Sequence, residues 1–389
     1  MFSKSSIIGV IGSGAMGSGI AQVAATANHS VKIFDSNPLA LSKAENQLKA
    51  SLAKLVEKQK IDSVKADQTV NNIQFSNNLS DLKDCDLIIE AIVENLAVKK
   101  DVFSQLGNIC SDKCVFASNT SSLSIASIAS ACKDASRVLG IHFFNPATLM
   151  PLVEIIPGIS SNQEIVYQCK LLVDSWGKQT VIAKDTPGFI VNRVARPFYS
   201  EALRIYEEGI ADIPTIDWAM KEIGGFKMGP FELMDLIGHD VNYIVTETVW
   251  TQLYFDPKFK PALSQKRLLE GGLLGRKSGK GFYDYAENAK NPEPTKNLDL
   301  GKLIVSRILV MLINEAADTL YLKVANAADI DLAMTKGVNY PKGLLKWADE
   351  YGIPNVVKEL NGLREFYEED RYRMSPMLKQ KFLTKTTFH

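Results

Sequence analysis

The chain has 389 residues, of which 46% are hydrophobic and 23% are charged, as expected for a globular protein with more than one domain. Lys plus Arg and Asp plus Glu both number 44, so no net charge draws the chain to nucleic acid or to a membrane. No run approaches the ~20 apolar residues of a membrane-spanning helix, and the N-terminus lacks the apolar region of a signal peptide. We therefore expect a cytoplasmic protein with neither nucleic acid nor a membrane as partner.

Cysteine and histidine are scattered along the chain. The five cysteines form no CxxC pair, and the four histidines do not complete a zinc-ligand spacing. Free cysteines behave as small hydrophobic residues in a reducing compartment. The sequence therefore predicts no metal site.

The first elements predicted are a strand, a glycine-rich turn and a helix. The apolar run IIGVI is followed by GSGAMG and by the helical pattern SGIAQVAATA, and a second strand, SVKIFD, ends at Asp35. Gly12 permits the tight turn, Gly14 lets the backbone approach a pyrophosphate, and Gly17 lets helix and strand pack closely. Asp35 would bind the adenosine ribose hydroxyls and repel a 2′-phosphate. This pattern indicates a Rossmann-type α/β domain that prefers NAD to NADP.

A long charged excursion occupies residues 38–72. Apolar residues recur there at helical spacing, which predicts a helix, a turn near Asp62 and a second short helix. Lys54 and Lys58 lie off the apolar face. Such a lysine-rich face is usually only solvated, but next to a cofactor site it could also meet an anionic substrate.

Two further strands are predicted to reach the cofactor crevice. The strand in residues 85–95 runs into Ile92, Val93 and Glu94, and the next strand ends at Asn119 before a Thr-Ser-Ser turn. The carboxyl ends of strands line the ligand crevice of an open α/β sheet, so these residues and Ser121 should lie beside the dinucleotide. The alternative is that the polar turn only caps a helix.

His142 and Glu154 occupy two neighbouring apolar segments, RVLGIHFFNP and MPLVEII. A lone histidine on an apolar strand is often only a hydrogen-bonded core residue. A buried carboxylate needs a partner, however, and His142 is the nearest candidate. A carboxylate bonded to one ring nitrogen fixes the tautomer and makes the other nitrogen a better base. Asn145 could hold the cofactor carboxamide or a substrate oxygen.

The remainder of the chain is predicted to be helical and internally repeated. Residues 193–238 align without gaps with 307–352, pairing Arg193 with Arg307 and Glu201 with Glu315. Asn192 corresponds to Ser306, so any role of that amide is not duplicated. Chance similarity between helical stretches is the alternative to a tandem duplication.

This pattern predicts an all-α part made of two tandem modules, joined by an exposed connector at 287–297. The predicted boundaries give an NAD-binding domain over 1–185, a first helical module over 186–286 and a second helical module over 298–389.

Seven motifs in order carry a resemblance to a known family: GSGAMGSGIAQVAA, EAIVEN, SNTSSLSI, GIHFFNP, DTPGFIVNR, MGPFELMDLIG and GRKSGKGFYDY. The chain closely resembles the L-3-hydroxyacyl-CoA dehydrogenases over residues 5–285, and residues 301–389 resemble the tandem module of longer bacterial members. The glycine loop departs from the usual family form only at Ser13 and Ala15. The resemblance implies the same fold, with the excursion as a helical-hairpin insertion.

The resemblance also implies roles for individual residues. His142 would be the catalytic base and Glu154 its partner, while Ser121 and Asn192 would contact the acyl-CoA near the reacting oxygen. Ser51 and Lys58 match the CoA contacts of the family. The residues expected to contact NAD are Gly12, Gly14, Ala15, Met16, Gly17, Asp35, Ile92, Val93, Glu94, Lys99, Asn119, Ser121, Asn145 and Lys277.

The activity implied is reversible oxidation of (3S)-3-hydroxyacyl-CoA to 3-oxoacyl-CoA with NAD, in fatty acid or related acyl-CoA degradation. One alternative is a sugar-acid dehydrogenase of gulonate type with the same architecture, and another is a catalytically silent NAD-binding protein. Single-module relatives dimerise through their helical domains. The second module could therefore take the partner's place, which would give a monomer instead of a homodimer.

Overall fold

The computed structural model describes residues 2–389 and separates into two compact units, one ending at Thr186 and the other running from Pro187 to His389. The first unit is an α/β domain and the second is helical, as expected from the sequence. Within the described residues, no helix has the length and apolar character needed to cross a membrane.

The first unit is built on one eight-stranded sheet with the strand order β3-β2-β1-β4-β5-β6-β7-β8. All neighbouring strands are parallel except β6 and β7. The order reverses between β1 and β4, which is where ligands bind in open α/β sheets. The strands are β1 Ile8–Ile11, β2 Val31–Phe34, β3 Ile73–Ser76, β4 Leu87–Glu90, β5 Val115–Ser118, β6 Val138–Phe143, β7 Leu152–Pro157 and β8 Gln179–Ile182.

Six helices accompany this sheet: α1 Ala15–Thr26, α2 Pro38–Glu57, α3 Ser63–Asn71, α4 Leu96–Ile109, α5 Ile125–Ala129 and α6 Gln163–Ser175. The helix–turn–helix predicted for the excursion is confirmed by α2 and α3. Leu41, Ala44, Leu48 and Leu52 form the buried face of α2, because their spacing places them on one side of a helix. Asp62 caps α3 by accepting a hydrogen bond from the Lys65 N–H.

Two strand predictions need correction. Residues 73–76 belong to the sheet as β3, a strand that the sequence analysis did not predict. This edge strand pairs only with β2 and buries only Ile73, so its sequence shows little strand patterning. The strand predicted to run into Glu94 ends at Glu90, because the Ile92 N–H turns to bond the Glu90 carboxylate.

The second unit repeats its helices at a constant spacing. α10 and α11 of the first module correspond to α15 and α16 of the second at an offset of 114 residues, which agrees with the alignment in the sequence. The helices are α7 Val191–Val194, α8 Arg196–Glu207, α9 Ile213–Trp218, α10 Pro230–Ile237, α11 His239–Gln252, α12 Leu263–Glu270, α13 Leu298–Tyr321, α14 Ala327–Gly337, α15 Leu344–Tyr351, α16 Ile353–Tyr367 and α17 Pro376–Thr384.

The two copies differ at their first helix. The second module has the single helix α13, whereas the first module divides the equivalent segment into α7 and α8 around Ala195. Pro197 lies in the first turn of α8 and Met311 occupies the same position in α13. Proline has no backbone N–H to continue the helical hydrogen bonds, so the first copy is interrupted where the second is continuous.

The two modules pack on each other through reciprocal ion pairs. Arg193 Nε lies 2.7 Å from Glu315 Oε1, and Arg307 Nε lies 3.0 Å from Glu201 Oε2. Position 193 aligns with 307 and position 201 with 315. The arginine of each module therefore pairs with the glutamate of the other. This is the pattern of an isologous, two-fold interface.

The end of each module is fastened in the same way. Backbone N–H groups of Phe282 and Tyr283 donate to the Asp235 carboxylate in the first module. Those of Phe388 and His389 donate to Asp349, the residue that aligns with Asp235. The duplication thus extends beyond the segment aligned from the sequence.

Candidate active site

The glycine turn leaves room for a phosphate above the start of α1. A Cβ at Gly17 would lie 1.8 Å from the Gly12 carbonyl oxygen, so helix and strand approach too closely for any other residue. A Cβ at Gly14 would meet nothing within 4 Å, and the Gly14 backbone is extended with a φ of −65°. Neither packing nor backbone strain requires glycine there. With no side chain capping α1, the open N-terminus fits a dinucleotide pyrophosphate.

Asp35 is held at the end of β2 beside this turn. Its Oδ2 accepts hydrogen bonds from the backbone N–H and the hydroxyl of Ser13, both at 2.8 Å, and its Oδ1 accepts from the Asn37 N–H. Burial acts to raise the pKa of Asp35, but the hydrogen bonds from Asn37 and Ser13 outweigh it and the pKa is lowered. The carboxylate is therefore ionised and oriented at neutral pH, as ribose recognition requires.

A buried ion cluster lies at the end of β4. The Glu90 carboxylate accepts hydrogen bonds from Lys99 Nζ at 2.6 Å, Ser118 Oγ at 2.7 Å and the Ile92 N–H at 2.7 Å. Lys99 is only 1% exposed, and its ammonium also lies 3.2 Å from Glu94 Oε2. Lys99 therefore sits between two carboxylates, and its expected contact with NAD stays a prediction.

Glu94 ties the loop after β4 to the loop after β5. Its Oε1 accepts hydrogen bonds from Thr120 Oγ1 at 2.5 Å, the Ser121 N–H at 3.1 Å and Ser122 Oγ at 3.1 Å. Burial acts to raise the pKa of Glu94, but Lys99 and Thr120 lower it overall. The carboxylate thus fixes the backbone of Ser121, whose hydroxyl has no hydrogen-bond partner among residues 2–389.

The Asn119 amide and the Glu154 carboxylate both bind β6. Asn119 Oδ1 accepts the Phe143 N–H at 2.7 Å, so this predicted cofactor residue also holds the end of β6.

His142 and Glu154 are directly opposite each other in the antiparallel β6–β7 pair. His142 Nδ1 lies 2.7 Å from Glu154 Oε2, with the residues 5% and 0% exposed. The pairing predicted from the sequence is therefore present in the structure.

The His142–Glu154 geometry assigns the two ring nitrogens different tasks. Nδ1 is committed to the carboxylate, so any proton transfer by this ring would use Nε2. The Phe144 ring lies 4.5 Å from the imidazole, centroid to centroid, and restricts its orientation. A histidine held in this way can act as a general acid or base.

Three other predicted cofactor residues lie on loops of the same unit. Ile92 and Val93 follow β4, and Val93 is 66% exposed. Asn145 follows β6 and is exposed. An exposed valine at the carboxyl end of a central strand provides an apolar surface for a flat ring.

Asn192 and Lys277 belong to the second unit. Asn192 lies in α7 and is half-buried. Lys277 lies in the short helical turn Arg276–Ser278, where its ammonium forms an ion pair with Asp240. The proposed contacts of Asn192 with substrate and of Lys277 with NAD stay predictions.

A groove of about 810 Å³ in the first unit contains the two predicted CoA contacts. Ser51 and Lys58 of the α2 region line it, together with Lys54 and Lys60, and none of these lysines pairs with an acidic residue of the described chain. Lys43, on the same helix, is not part of the lining. Three unpaired ammonium groups in one groove favour a polyanionic ligand.

Glu90 is a residue that sequence reasoning missed. It is completely buried at the carboxyl end of β4 and carries the contacts to Lys99 and Ser118. A charged residue ending an otherwise apolar strand, LIIE, was the available signal, because such a residue requires a buried partner.

Family models match both units of the chain. The model described as the NAD-binding domain of 3-hydroxyacyl-CoA dehydrogenase matches residues 7–186. The model described as the C-terminal domain of the same enzyme matches twice, at residues 188–285 and 303–387. The double match agrees with the duplication seen in the helices.

Individual relatives match over similar lengths. The chain is 36% identical to a 3-hydroxyadipyl-CoA dehydrogenase of Escherichia coli, with 98% of each chain covered. It is 40% identical to the mitochondrial hydroxyacyl-coenzyme A dehydrogenase of Sus scrofa, covering 71% of this chain and 90% of that one. A crystal structure of 3-hydroxybutyryl-CoA dehydrogenase from E. coli superposes with a TM-score of 0.94 at 35% identity, covering 98% of both chains.

Proposed function

Because the chain belongs to the 3-hydroxyacyl-CoA dehydrogenase family and is an NAD-dependent oxidoreductase of 3-hydroxyacyl-CoA, we propose that the His142–Glu154 pair is its acid–base catalyst. The observation that carries this proposal is the 2.7 Å contact between His142 Nδ1 and Glu154 Oε2 at two buried, facing positions. A buried carboxylate stabilises the imidazolium that forms when the ring takes up a proton.

In this mechanism His142 Nε2 removes the proton from the 3-hydroxyl group of a (3S)-3-hydroxyacyl-CoA. NAD, when bound, would supply the redox chemistry as the acceptor of the hydride from C3, the carbon that bears the hydroxyl group. Glu154 keeps the ring oriented and balances its positive charge. In the reverse direction protonated His142 returns the proton to the 3-oxo group. General acid–base catalysis of this kind contributes on the order of 10²–10⁴-fold.

Four residues are proposed to contact the substrate. Ser121 and Asn192 would hold the acyl group near the reacting oxygen, and the unpaired Ser121 hydroxyl on a fixed backbone supports that role. Ser51 and Lys58 would bind the CoA nucleotide, supported by the groove that they share with other unpaired lysines.

We also propose that the cofactor lies along the strand ends from Asp35 to Asn145. The ionised, oriented Asp35 supports selection of NAD over NADP. The pyrophosphate would rest on the turn formed by Gly12, Gly14, Ala15, Met16 and Gly17. A cytoplasmic location is consistent with five cysteines that form no disulfide.

A further part of the proposal is that the enzyme is a monomer, in which the second helical module replaces a dimer partner. The reciprocal pairs Arg193–Glu315 and Arg307–Glu201 support it, because they repeat one contact across a two-fold interface. Sedimentation equilibrium should give the chain mass of 42.9 kDa. An obligate dimer that uses residues 193–285 of both chains would contradict this model.

The experiment that tests the catalytic proposal is oxidation of NADH with acetoacetyl-CoA, comparing wild type with His142→Gln. We expect turnover to fall by at least ~100-fold, with NADH affinity retained. His29→Gln is the matched control, since the His29 ring packs against Trp176 and its one hydrogen bond within residues 2–389 joins it to the Ser6 carbonyl oxygen. Full activity of His142→Gln would contradict the proposed role of His142.

Substrate preference distinguishes the remaining alternative from the proposed function. A sugar-acid dehydrogenase of the same architecture would oxidise gulonate and ignore the CoA thioester. The family matches over both units favour the thioester, and the two substrates can be compared in the same NAD assay.

A further inference from the structure

A buried polar cluster lies in the second unit, made of Arg196, Tyr199, Asn242, Thr246 and Tyr340 (the Arg196 cluster). Arg196 is 4% exposed and extends from α8 toward α11. Its Nε donates to the Asn192 carbonyl oxygen at 2.8 Å, and its Nη1 donates to Thr246 Oγ1 at 3.0 Å. The guanidinium also lies 4.8 Å from the centre of the Tyr199 ring. A cation is therefore held in the interior by neutral groups alone.

Arg196 has no acidic partner among residues 2–389, unlike the buried arginines Arg193, Arg307 and Arg371 of the same unit. Burial lowers the pKa of Arg196, while the nearby Tyr199 and Tyr340 hydroxyls act to raise it. A buried charge without a counter-ion is costly to the folded state. An anionic ligand would supply the counter-ion that residues 2–389 do not provide to Arg196.

Tyr340 adds a second unsatisfied group to the cluster. Its ring packs against Phe198 and Phe226, and the residue is 6% exposed. The Tyr340 hydroxyl is buried and has no hydrogen-bond partner. Buried hydroxyl groups are almost always hydrogen-bonded, so the cluster contains a hydroxyl donor without an acceptor as well as a guanidinium without a counter-ion.

The duplicated module shows that the fold does not need these polar side chains. The positions that align with Arg196, Tyr199, Asn242 and Thr246 are occupied in the second module by Val310, Ile313, Val356 and Leu360, all completely buried. The same place in the fold is thus an apolar core in one copy and a charged cluster in the other. Packing alone gives no reason for the charge.

The cluster lies one helical turn beyond Asn192, the residue proposed to contact the acyl group. Although the helix is interrupted at Ala195, Arg196 Nε donates to the Asn192 carbonyl oxygen at 2.8 Å, so the two residues remain about one helical turn apart. One turn spans about 6 Å, the reach of roughly four to five carbon–carbon bonds of about 1.5 Å. Resting on the proposed function, this spacing fits a short acyl tail that starts near Asn192 and ends at Arg196. Asn192 aligns with Ser306 in the second module. The Asn192 amide and the Arg196 guanidinium therefore both belong to the first module alone.

We propose that the Arg196 cluster binds the terminal carboxylate of the acyl tail, so that the preferred substrates are 3-hydroxyacyl-CoA thioesters whose acyl chain ends in a carboxylate. Arg196 supplies the charge and Tyr340 donates a hydrogen bond. Tyr340 belongs to the second module, which gives the duplicated copy a direct part in substrate selection.

The test compares kcat/KM for 3-hydroxyadipyl-CoA and 3-hydroxyhexanoyl-CoA, which share a six-carbon chain and differ only in the terminal group. Wild type should prefer the adipyl substrate. Arg196→Met should lower the adipyl-to-hexanoyl ratio by at least ~30-fold, because one partner of a buried charge pair is lost. Tyr340→Phe should lower it by ~10-fold. Tyr254→Phe, at a tyrosine that is 93% exposed, is the control and should leave the ratio unchanged.

A purely structural role for the cluster would lower activity on both substrates together and leave the ratio unchanged, which would overturn the proposal. If Arg196→Met does not fold, the ratio measured for Tyr340→Phe tests the proposal alone. This variant should fold, because the first module already has phenylalanine, Phe226, at the aligned position. A wild type that prefers the hexanoyl substrate would also overturn the proposal while leaving the proposed function intact. Absence of activity on both substrates would instead contradict the proposed function.

Discussion

Arg193 in α7 lies 2.7 Å from Glu315 in α13, and no other acidic side chain of residues 2–389 pairs with this arginine. Both side chains are buried between the two helical modules. Glu315 also binds Lys258, which has Asp318 as a second partner. Among residues 2–389, Glu315 is therefore the single acidic partner of the buried Arg193 guanidinium, and this pair is one of the two reciprocal pairs between the modules.

Glu315→Gln should destabilise the helical unit strongly. It removes the negative charge and leaves Arg193 buried without a counter-ion, which typically costs about 3–5 kcal/mol. Urea unfolding of the full chain can be followed through Trp218, Trp250 and Trp347, which all lie in this unit. Asp299→Asn is the control, since the Asp299–Lys302 pair is exposed and spans 3.9 Å. Equal unfolding midpoints for Glu315→Gln and wild type would show that the pair contributes nothing.

Glu154→Gln should lower turnover by at least ~100-fold while NADH affinity stays near wild type. The amide can still contact the imidazole, but it no longer balances the charge of the protonated ring. Single-turnover rates with acetoacetyl-CoA and fluorescence titration with NADH measure the two effects separately. Glu164→Gln, on the exposed start of α6, provides the matched control. A loss of NADH binding as large as the loss of turnover would point to a folding role instead.

Asp35→Ala should reduce the preference for NAD over NADP by at least ~10-fold in kcat/KM. The wild-type carboxylate is ionised and oriented by Ser13 and Asn37, so it can bind a ribose diol and repel a 2′-phosphate. Initial rates with both cofactors give the ratio directly. Asp112→Ala, at an exposed position after α4, should not change it. An unchanged ratio for Asp35→Ala would remove Asp35 from cofactor selection.

Lys58→Ala should raise KM for acetoacetyl-CoA roughly fivefold, about 1 kcal/mol for an exposed charge contact. The expected cause is loss of a contact with the CoA phosphates in the lysine-lined groove. Acetoacetyl-pantetheine lacks these phosphates, so its KM should change much less. Lys43→Ala is the control, because Lys43 lies in α2 but does not line the groove. Equal changes in KM for both substrates would place the effect away from the nucleotide.

The sequence predicted the His142–Glu154 contact because both residues interrupt apolar strands, and a buried carboxylate requires a partner. It could not predict the antiparallel register that places the two directly opposite each other. The Rossmann order of the first strands followed from the glycine turn and Asp35. The edge strand Ile73–Ser76 was missed because it lacks the alternation of a half-buried strand.

The Arg196 cluster shows a different limit. Aligning the two modules from the sequence already sets Arg196 against Val310, yet an arginine on a helix is normally solvated. Only the structure shows that this arginine is buried without an acidic partner. In the same way, Glu90 and Lys99 are nine positions apart in the chain, and their contact depends on how α4 folds back along β4.

Fusion of two equivalent modules into one polypeptide has a consequence for how selectivity can change. When identical subunits assemble around a two-fold axis, any substitution at the interface appears on both sides at once. In this chain the tyrosine at position 340 faces a phenylalanine at the aligned position 226. A mutation can therefore alter one half of the arrangement while the other keeps its original residue, and the second half becomes free to specialise.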